Sequence, residues 1–174
     1  MCFVERRGAF VFKVDVSQIK ENPGQTMNVI LQGFPAQEKE GEGVIFSSPV
    51  KAVLQLTSTA GAILVQGSVQ ASVQLNCARC LEPFTLKLEA PFEEIYYHEG
   101  KGEEEWIPFS GSVIDFEPEI VKTIYLEVPM KAVCREECRG LCPQCGKNLN
   151  TSECNCSQGD LDPRLAKLQD FFRK

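Results

Sequence analysis

A chain of 174 residues with 43% hydrophobic content is long enough to bury a core and short enough for one or two small domains. Its formal net charge of −6 is unevenly spread: residues 1–130 hold ten Lys/Arg against eighteen Asp/Glu, and residues 131–174 hold eight against six. An acidic body excludes broad, non-specific binding to nucleic acid, DNA included, which needs a dense basic surface; it leaves room for a local RNA contact or a basic protein partner.

The N-terminus (Met1 to Arg7) shows no apolar leader, and no apolar run reaches the length of a membrane span. These features predict a cytoplasmic protein. In that reducing compartment disulfides are disfavoured, so the nine cysteines, where they group at short spacing, read as metal ligands.

In chain order, Phe10, Phe12, Val14 and Val16 recur with the two-residue period of a strand. Residues 22–43 are rich in Gly, Pro and charge and predict a loop around a short strand at Met27 to Leu31. Strands are expected from Val50 to Thr57 and from Ala62 to Asn76, joined by a tight turn near Ala60-Gly61. In the second, Val65, Gly67, Val69, Ala71, Val73 and Leu75 share one face; Gln66, Ser68, Gln70, Ser72, Gln74 and Asn76 share the other. Such alternation puts one face on a core and one in water. The wet, uncharged face reads as solvated sheet, with a polar binding surface as the sharper option.

Cys77-Ala78-Arg79-Cys80 ends that strand, and Phe84 to Leu88 begins the next, so the cysteine pair falls in a hairpin turn. Residues 93–119 hold nine carboxylates and one lysine and predict a solvated acidic loop around Glu99 to Glu105. A helix is expected over about 117–127: Pro118 suits a first turn, Ile120/Ile124 and Val121/Tyr125 make a stripe, and Pro129 stops it. Asp162-Pro163 reads as the start of a terminal helix with Leu165, Leu168, Phe171 and Phe172 on one face. The expected division is a β-rich body (1–130) and a cysteine-rich segment with its terminal helix (131–174). The fold class is α+β, mostly β: a twisted antiparallel sheet or partly closed barrel, one packed helix and a zinc-binding C-terminal segment.

Six thiols lie between Cys134 and Cys156. Cys142-Pro143-Gln144-Cys145-Gly146 is the informative unit: the turn lets two thiolates converge on one metal, and glycine after the second cysteine permits a positive φ. Two more thiolates must close the tetrahedron. Cys138 and Cys156 are the first choices beside Cys142 and Cys145, with Cys134 and Cys154 in reserve, because spacing does not rank them. The expected cofactor is one structural Zn2+ per chain; an iron–sulfur site uses the same ligand type, and free or bridged thiols are the remaining option. Such a segment, short and polar, needs a metal to fold.

Cys77 and Cys80 admit three readings: packed thiols, ligands of a shared or separate metal, or a redox pair. A thioredoxin-type pair opens a helix whose dipole lowers a thiol pKa, whereas Leu81-Glu82-Pro83-Phe84 leads into a strand. Cys2 reads as a free thiol. His98 is the one histidine; no P-loop, dinucleotide fingerprint or H-E-x-x-H motif accompanies it, so an enzyme is not expected.

Three segments together resemble a known family. They are Cys77 to Phe84 (CARCLEPF), Cys138 to Leu149 (CRGLCPQCGKNL) and Asp162 to Leu168 (DPRLAKL), with Asp115 leading into the helix that ends at Pro129. In this order they are similar to the YceD family, the large ribosomal RNA subunit accumulation proteins of bacteria and plastids. The resemblance runs from about Val50 to the end. It implies a non-catalytic role in accumulation or maturation of large-subunit ribosomal RNA and ribosome assembly. Its implied partners are ribosomal RNA, a basic ribosomal protein, or both; Arg135, Arg139, Lys147, Arg164 and Lys167 suit a phosphate contact or are solvated charge. Some relatives keep the first cysteine pair and lack the later cluster. The rival reading is a thiol-based redox or metal-relay protein using Cys77 and Cys80.

Overall fold

The computed structural model describes residues 12–36, 44–98 and 106–156. Cys2, the loop around Glu99 to Glu105, and the terminal-helix residues Leu165, Leu168, Phe171 and Phe172, with Arg164 and Lys167, lie outside them. The elements in order are β1 (Lys13–Asp15), α1 (Ser17–Lys20), β2 (Thr26–Gly33), β3 (Ile45–Phe46), β4 (Val50–Ser58), β5 (Ala62–Asn76), β6 (Pro83–His98), β7 (Ile107–Phe109), β8 (Val113–Asp115) and α2 (Glu117–Glu127).

One sheet runs β2-β4-β5-β6-β7, with β3 pairing the far end of β5, and β1 pairs β8 separately. Its pairs are antiparallel except β6–β7, which is parallel. The path ends at β2 on one side and β7 on the other, so the sheet is open, and of the two expected architectures the barrel is corrected to an open sheet.

The period-two pattern explains why β5 sits at the centre. Val65, Val69, Ala71 and Val73 are buried, and Gln66, Gln70 and Gln74 are exposed. Across the wet face Gln66 donates to Glu93 Oε1 at 3.1 Å, and Gln70 donates to Glu89 Oε1 at 3.2 Å. The glutamines are thus engaged in cross-strand pairs, which favours the solvated-sheet reading of that face. Gly67 has a steric reason: a Cβ there would meet the Val53 carbonyl oxygen of β4 at 2.0 Å.

The buried face gathers Val65, Phe92 and Tyr96 with Phe12, Val16 and Ile19 from the N-terminal side, Ile120 and Ile124 from α2, and Phe116 at the N-cap of that helix. Tyr96 and Phe116 meet edge to face at 5.2 Å between centroids. The helix starts where Asp115 Oδ1 accepts from the Glu117 amide at 3.0 Å, with Pro118 in its first turn. Ile120, Val121 and Ile124 are its buried residues, and Val128, ahead of Pro129, is already extended.

Four features differ from the sequence expectation. β6 continues to His98, placing Glu93, Glu94 and His98 on a strand, because Ala90, Phe92 and Tyr96 prolong the apolar alternation through the charges. The short strands β7 and β8 are too brief for periodicity to reveal. β2 is longer than Met27 to Leu31, its ends being recruited by pairing with β4 from Thr26↔Thr57 to Gly33↔Val50. Of the first expected strand the described part is Lys13–Asp15, since Phe12 is in a turn and Val16 caps the single turn of α1; Phe10 lies outside the described residues.

Replacing Gly67 by alanine is expected to destabilise the fold by about 2 kcal/mol, the cost of forcing a methyl group into a packed backbone contact, measured as a lowered urea midpoint.

Candidate metal centres

The loop between β5 and β6, Cys77 to Glu82, is a six-residue knuckle. The Leu81 amide donates to the Cys77 carbonyl at 2.9 Å, and the Cys77 amide donates to the Glu82 carbonyl at 2.9 Å. This closes only if Leu81 turns left-handed, at φ +63°, the one non-glycine residue to do so among those described. An L-residue other than glycine costs about 1–2 kcal/mol there. Something must hold it.

The same pattern recurs at Cys142. Gly146 donates to the Cys142 carbonyl at 2.9 Å, Cys142 donates to the Lys147 carbonyl at 2.8 Å, and Gly146 has φ +71°. The two C-x-x-C segments therefore fold into the same turn, one closed by leucine and one by glycine. Each turn aims two sulfurs the same way and amide N–H groups at the first: Arg79 N lies 3.4 Å from Cys77 Sγ.

Each knuckle meets a second pair of thiols. The four sulfurs of Cys77, Cys80, Cys134 and Cys138 lie within 4.8 Å of one another, as do those of Cys142, Cys145, Cys154 and Cys156. The expected ligands are thus divided. Cys142, Cys145 and Cys156 stand together and Cys154 joins them, while Cys138 stands with Cys134 and the hairpin pair. Spacing alone could not show this, because Cys138 is four residues from Cys142 and sixty-one from Cys77. The left-handed turn after Cys80, hidden behind a leucine, was the missing signal.

The chain itself ties the hairpin to the C-terminal segment. Ala78 N donates to Ala132 O at 2.8 Å, and Leu141 N donates to Arg79 O at 3.1 Å. The Arg79 guanidinium donates to the carbonyls of Glu136 and Cys138 at 2.8 and 3.0 Å. Gly140, at φ +74°, passes so close that a Cβ would lie 3.0 Å from Arg79 O. Phe84, Val133 and Leu141 pack around the first group of thiols. Cys77, Cys80 and Cys138 are buried, whereas Cys145 and Cys156 are exposed.

Electrostatics separate the thiols within each group. Burial pushes the Cys77 thiol up, but N–H donors of Cys134, Cys80 and Arg79 outweigh it and bring it down to about 6. Amides of Cys145 and Gln144 bring Cys142 down to about 6. Burial opposes ionisation of Cys138, yet the Asn150 side chain and the Gly140 amide lower it. Burial and the neighbouring Cys77 and Cys138 sulfurs push Cys134 up to about 12, and the Cys145 sulfur heads the causes that push Cys156 there too. Four thiolates held this close repel one another. A cation among them reverses that balance.

The donor set and spacing fit a mononuclear, tetrahedral, thiophilic ion such as Zn2+. His98, the only histidine, ends β6 with its ring 5.7 Å edge-on from Phe109, beside a cleft of about 420 Å³ also lined by Lys20, Glu21 and Thr59. Lys20 Nζ is engaged by the Gly111 carbonyl at 2.7 Å. No helix among the described residues is long and apolar enough to cross a membrane.

A family model described as large ribosomal RNA subunit accumulation protein YceD matches residues 65–172. The chain is 36% identical over 125 residues to an uncharacterized protein of Mycobacterium tuberculosis, covering 68% of this chain and 60% of that protein. It is 32% identical over 160 residues to the chloroplastic large ribosomal RNA subunit accumulation protein YCED homolog 1 of Zea mays, covering 72% of this chain and 54% of that protein. With YlbN, an uncharacterized protein of Bacillus subtilis, it shares 27% identity over 111 residues, covering 62% and 64%. The chain thus spans about 60% of the length of the mycobacterial relative and about half that of the plant one. No solved structure matches it.

Because glycine adopts the left-handed turn freely and Leu81 is 65% exposed, Leu81→Gly is expected to leave stability unchanged or raise it by about 1 kcal/mol. Leu81→Val, β-branched, is expected to lower it by about 1 kcal/mol or more. Urea denaturation of the metal-loaded protein reads both.

Proposed function

This chain belongs to the YceD family, and on that premise we propose that it supports accumulation of large-subunit ribosomal RNA as a non-catalytic assembly or maturation factor of the large ribosomal subunit. The observation that carries this reading is the family match over residues 65–172, which contains most of the β5–β6 ladder, α2 and both groups of cysteines. The Zea mays relative bears the same description in its name. In this reading the protein acts in the cytoplasm, where large-subunit ribosomal RNA is assembled.

In this reading a structural zinc ion sits at Cys142, Cys145, Cys154 and Cys156. Cys138, expected from spacing as the fourth ligand, is replaced there by Cys154, whose sulfur shares the group. The ion does no chemistry; it fixes a segment that has few apolar residues to pack. The partner is ribosomal RNA, a basic ribosomal protein, or both. The acidic excess of residues 1–130, eighteen Asp/Glu against ten Lys/Arg, suits a basic protein. Arg135, Arg139 and Lys147, all exposed on the cysteine-rich segment, suit a phosphate contact.

The redox alternative at Cys77 and Cys80 finds little support in the geometry. Their exposures are 0% and 3%, and both face two further thiols, whereas a redox pair must be reached by its partner.

A strain lacking the protein is expected to show a lowered ratio of large- to small-subunit ribosomal RNA and fewer complete large subunits on a sucrose gradient. The wild-type gene should restore both, and Cys145→Ser should restore them only in part. Unchanged ribosomal RNA levels and normal gradients in the deletion strain would sink this reading.

A further inference from the structure

We propose that Cys77, Cys80, Cys134 and Cys138 form a second, buried centre for a tetrahedral thiophilic divalent cation, and that Asn150, carried by the loop of the C-terminal centre, is its outer hydrogen-bond donor.

The sulfur spacing is the first argument. Cys77 and Cys138 sulfurs are 3.8 Å apart, and so are those of Cys80 and Cys134. A disulfide holds its sulfurs at about 2.05 Å. A regular tetrahedron with metal–sulfur bonds of about 2.3 Å has edges of about 3.8 Å. Polynuclear iron–sulfur clusters interpose several irons and sulfides and spread their ligands further. One cation at the centre of the four thiols fits the spacing.

The turn is the second argument. Cys77 to Glu82 repeats the hydrogen bonds of Cys142 to Lys147 bond for bond and bears the left-handed cost at Leu81 to do so. Backbone strain of this kind persists where surrounding structure over-determines it, and a metal clamp on Cys77 and Cys80 supplies that constraint. Donors complete the shell. Cys77 Sγ accepts from the amides of Arg79 and Cys134, each at 3.4 Å, and Cys138 Sγ accepts from Asn150 Nδ2 at 3.3 Å. Four thiolates around a divalent cation leave a net charge of about −2; Arg79, Arg135 and Arg139 stand on the surrounding segments.

Asn150 links the centres. It lies between Cys145 and Cys154, so the C-terminal loop must be closed to deliver it. Its Oδ1 accepts from Arg135 at 2.9 Å and from the Arg139 amide at 2.9 Å, fixing the carboxamide so that Nδ2 points at Cys138. Outer hydrogen bonds of this type are worth about 10- to 100-fold in metal affinity. The buried centre stands on its own geometry, and only its coupling through Asn150 rests on the C-terminal zinc proposed above.

The test uses the full chain. Metal-free wild-type protein titrated with Co2+ is expected to develop tetrahedral cobalt–thiolate absorption that saturates at two equivalents, and native mass spectrometry after zinc loading should count two ions. Cys80→Ser and Cys145→Ser should each hold one. Asn150→Ala should still hold two, one of them surrendered to a chelator of graded strength about 10- to 100-fold more readily. Saturation at one equivalent, with the ion kept by Cys80→Ser and lost by Cys145→Ser, overturns the buried centre. One equivalent with the reverse pattern upholds the buried centre and overturns the C-terminal zinc instead. Two ions of unchanged affinity in Asn150→Ala overturn the coupling.

Discussion

The antiparallel ladder between β5 and β6, paired from Ala62↔Tyr97 to Asn76↔Pro83, positions everything else described. At one end it presents Ile63, Phe92 and Tyr96 to α2 and to the N-terminal residues, and there burial of apolar area does the stabilising. At the other end the packing thins on β6, where Phe84, Leu86 and Leu88 are only half-buried opposite the buried Val73 and Leu75, and the hairpin loop presents two sulfurs. The molecule is held by hydrocarbon at one pole and by thiols at the other.

That polarity accounts for the segment after α2. Between Pro129 and Cys156, regular secondary structure is confined to one isolated bridge, Leu141↔Asn148, and Leu141 is among the few apolar side chains that pack. Hydrogen bonds organise it, with Arg79 and Asn150 each making several. Bonds of this kind contribute about 1 kcal/mol each and do not outweigh the ordering of so many residues. Metal coordination of the kind proposed for the two thiol groups is of the right size, and it would act where the core cannot reach.

The parts that were legible in the sequence are those governed by a period. The Val65 to Leu75 alternation and the helix stripe of Ile120 and Ile124 state their own burial, and both stand where the pattern put them. The acidic stretch hid the end of β6, because charges interrupt the alternation: Glu93 sits on the wet face with Gln66 as its cross-strand partner, while Glu94 is half-buried on the face of Phe92 and Tyr96. The turn that brings the Cys142 and Cys145 sulfurs together was readable from Pro143 and Gly146. Grouping of the other thiols was not, since Cys138 gains its neighbours through the Arg79 contacts, a tertiary event with no local trace. Asn150 was invisible for the same reason, its role being fixed by what Cys138 does.

The two thiol groups differ in how far along the chain they reach. Cys142 to Cys156 is one short stretch, while Cys80 and Cys134 are 54 residues apart. Closing the longer span costs roughly 1.5 kcal/mol more in chain entropy than closing the Cys145–Cys154 loop. That cost is met only after the β5–β6 ladder has formed. On the ribosome, the hairpin thiols emerge first and wait, unpartnered, for more than fifty further residues to be added. The later group can close as soon as its own stretch is free of the tunnel. A nascent chain therefore passes through an interval in which Cys77 and Cys80 stand without the two thiols that face them in the finished fold.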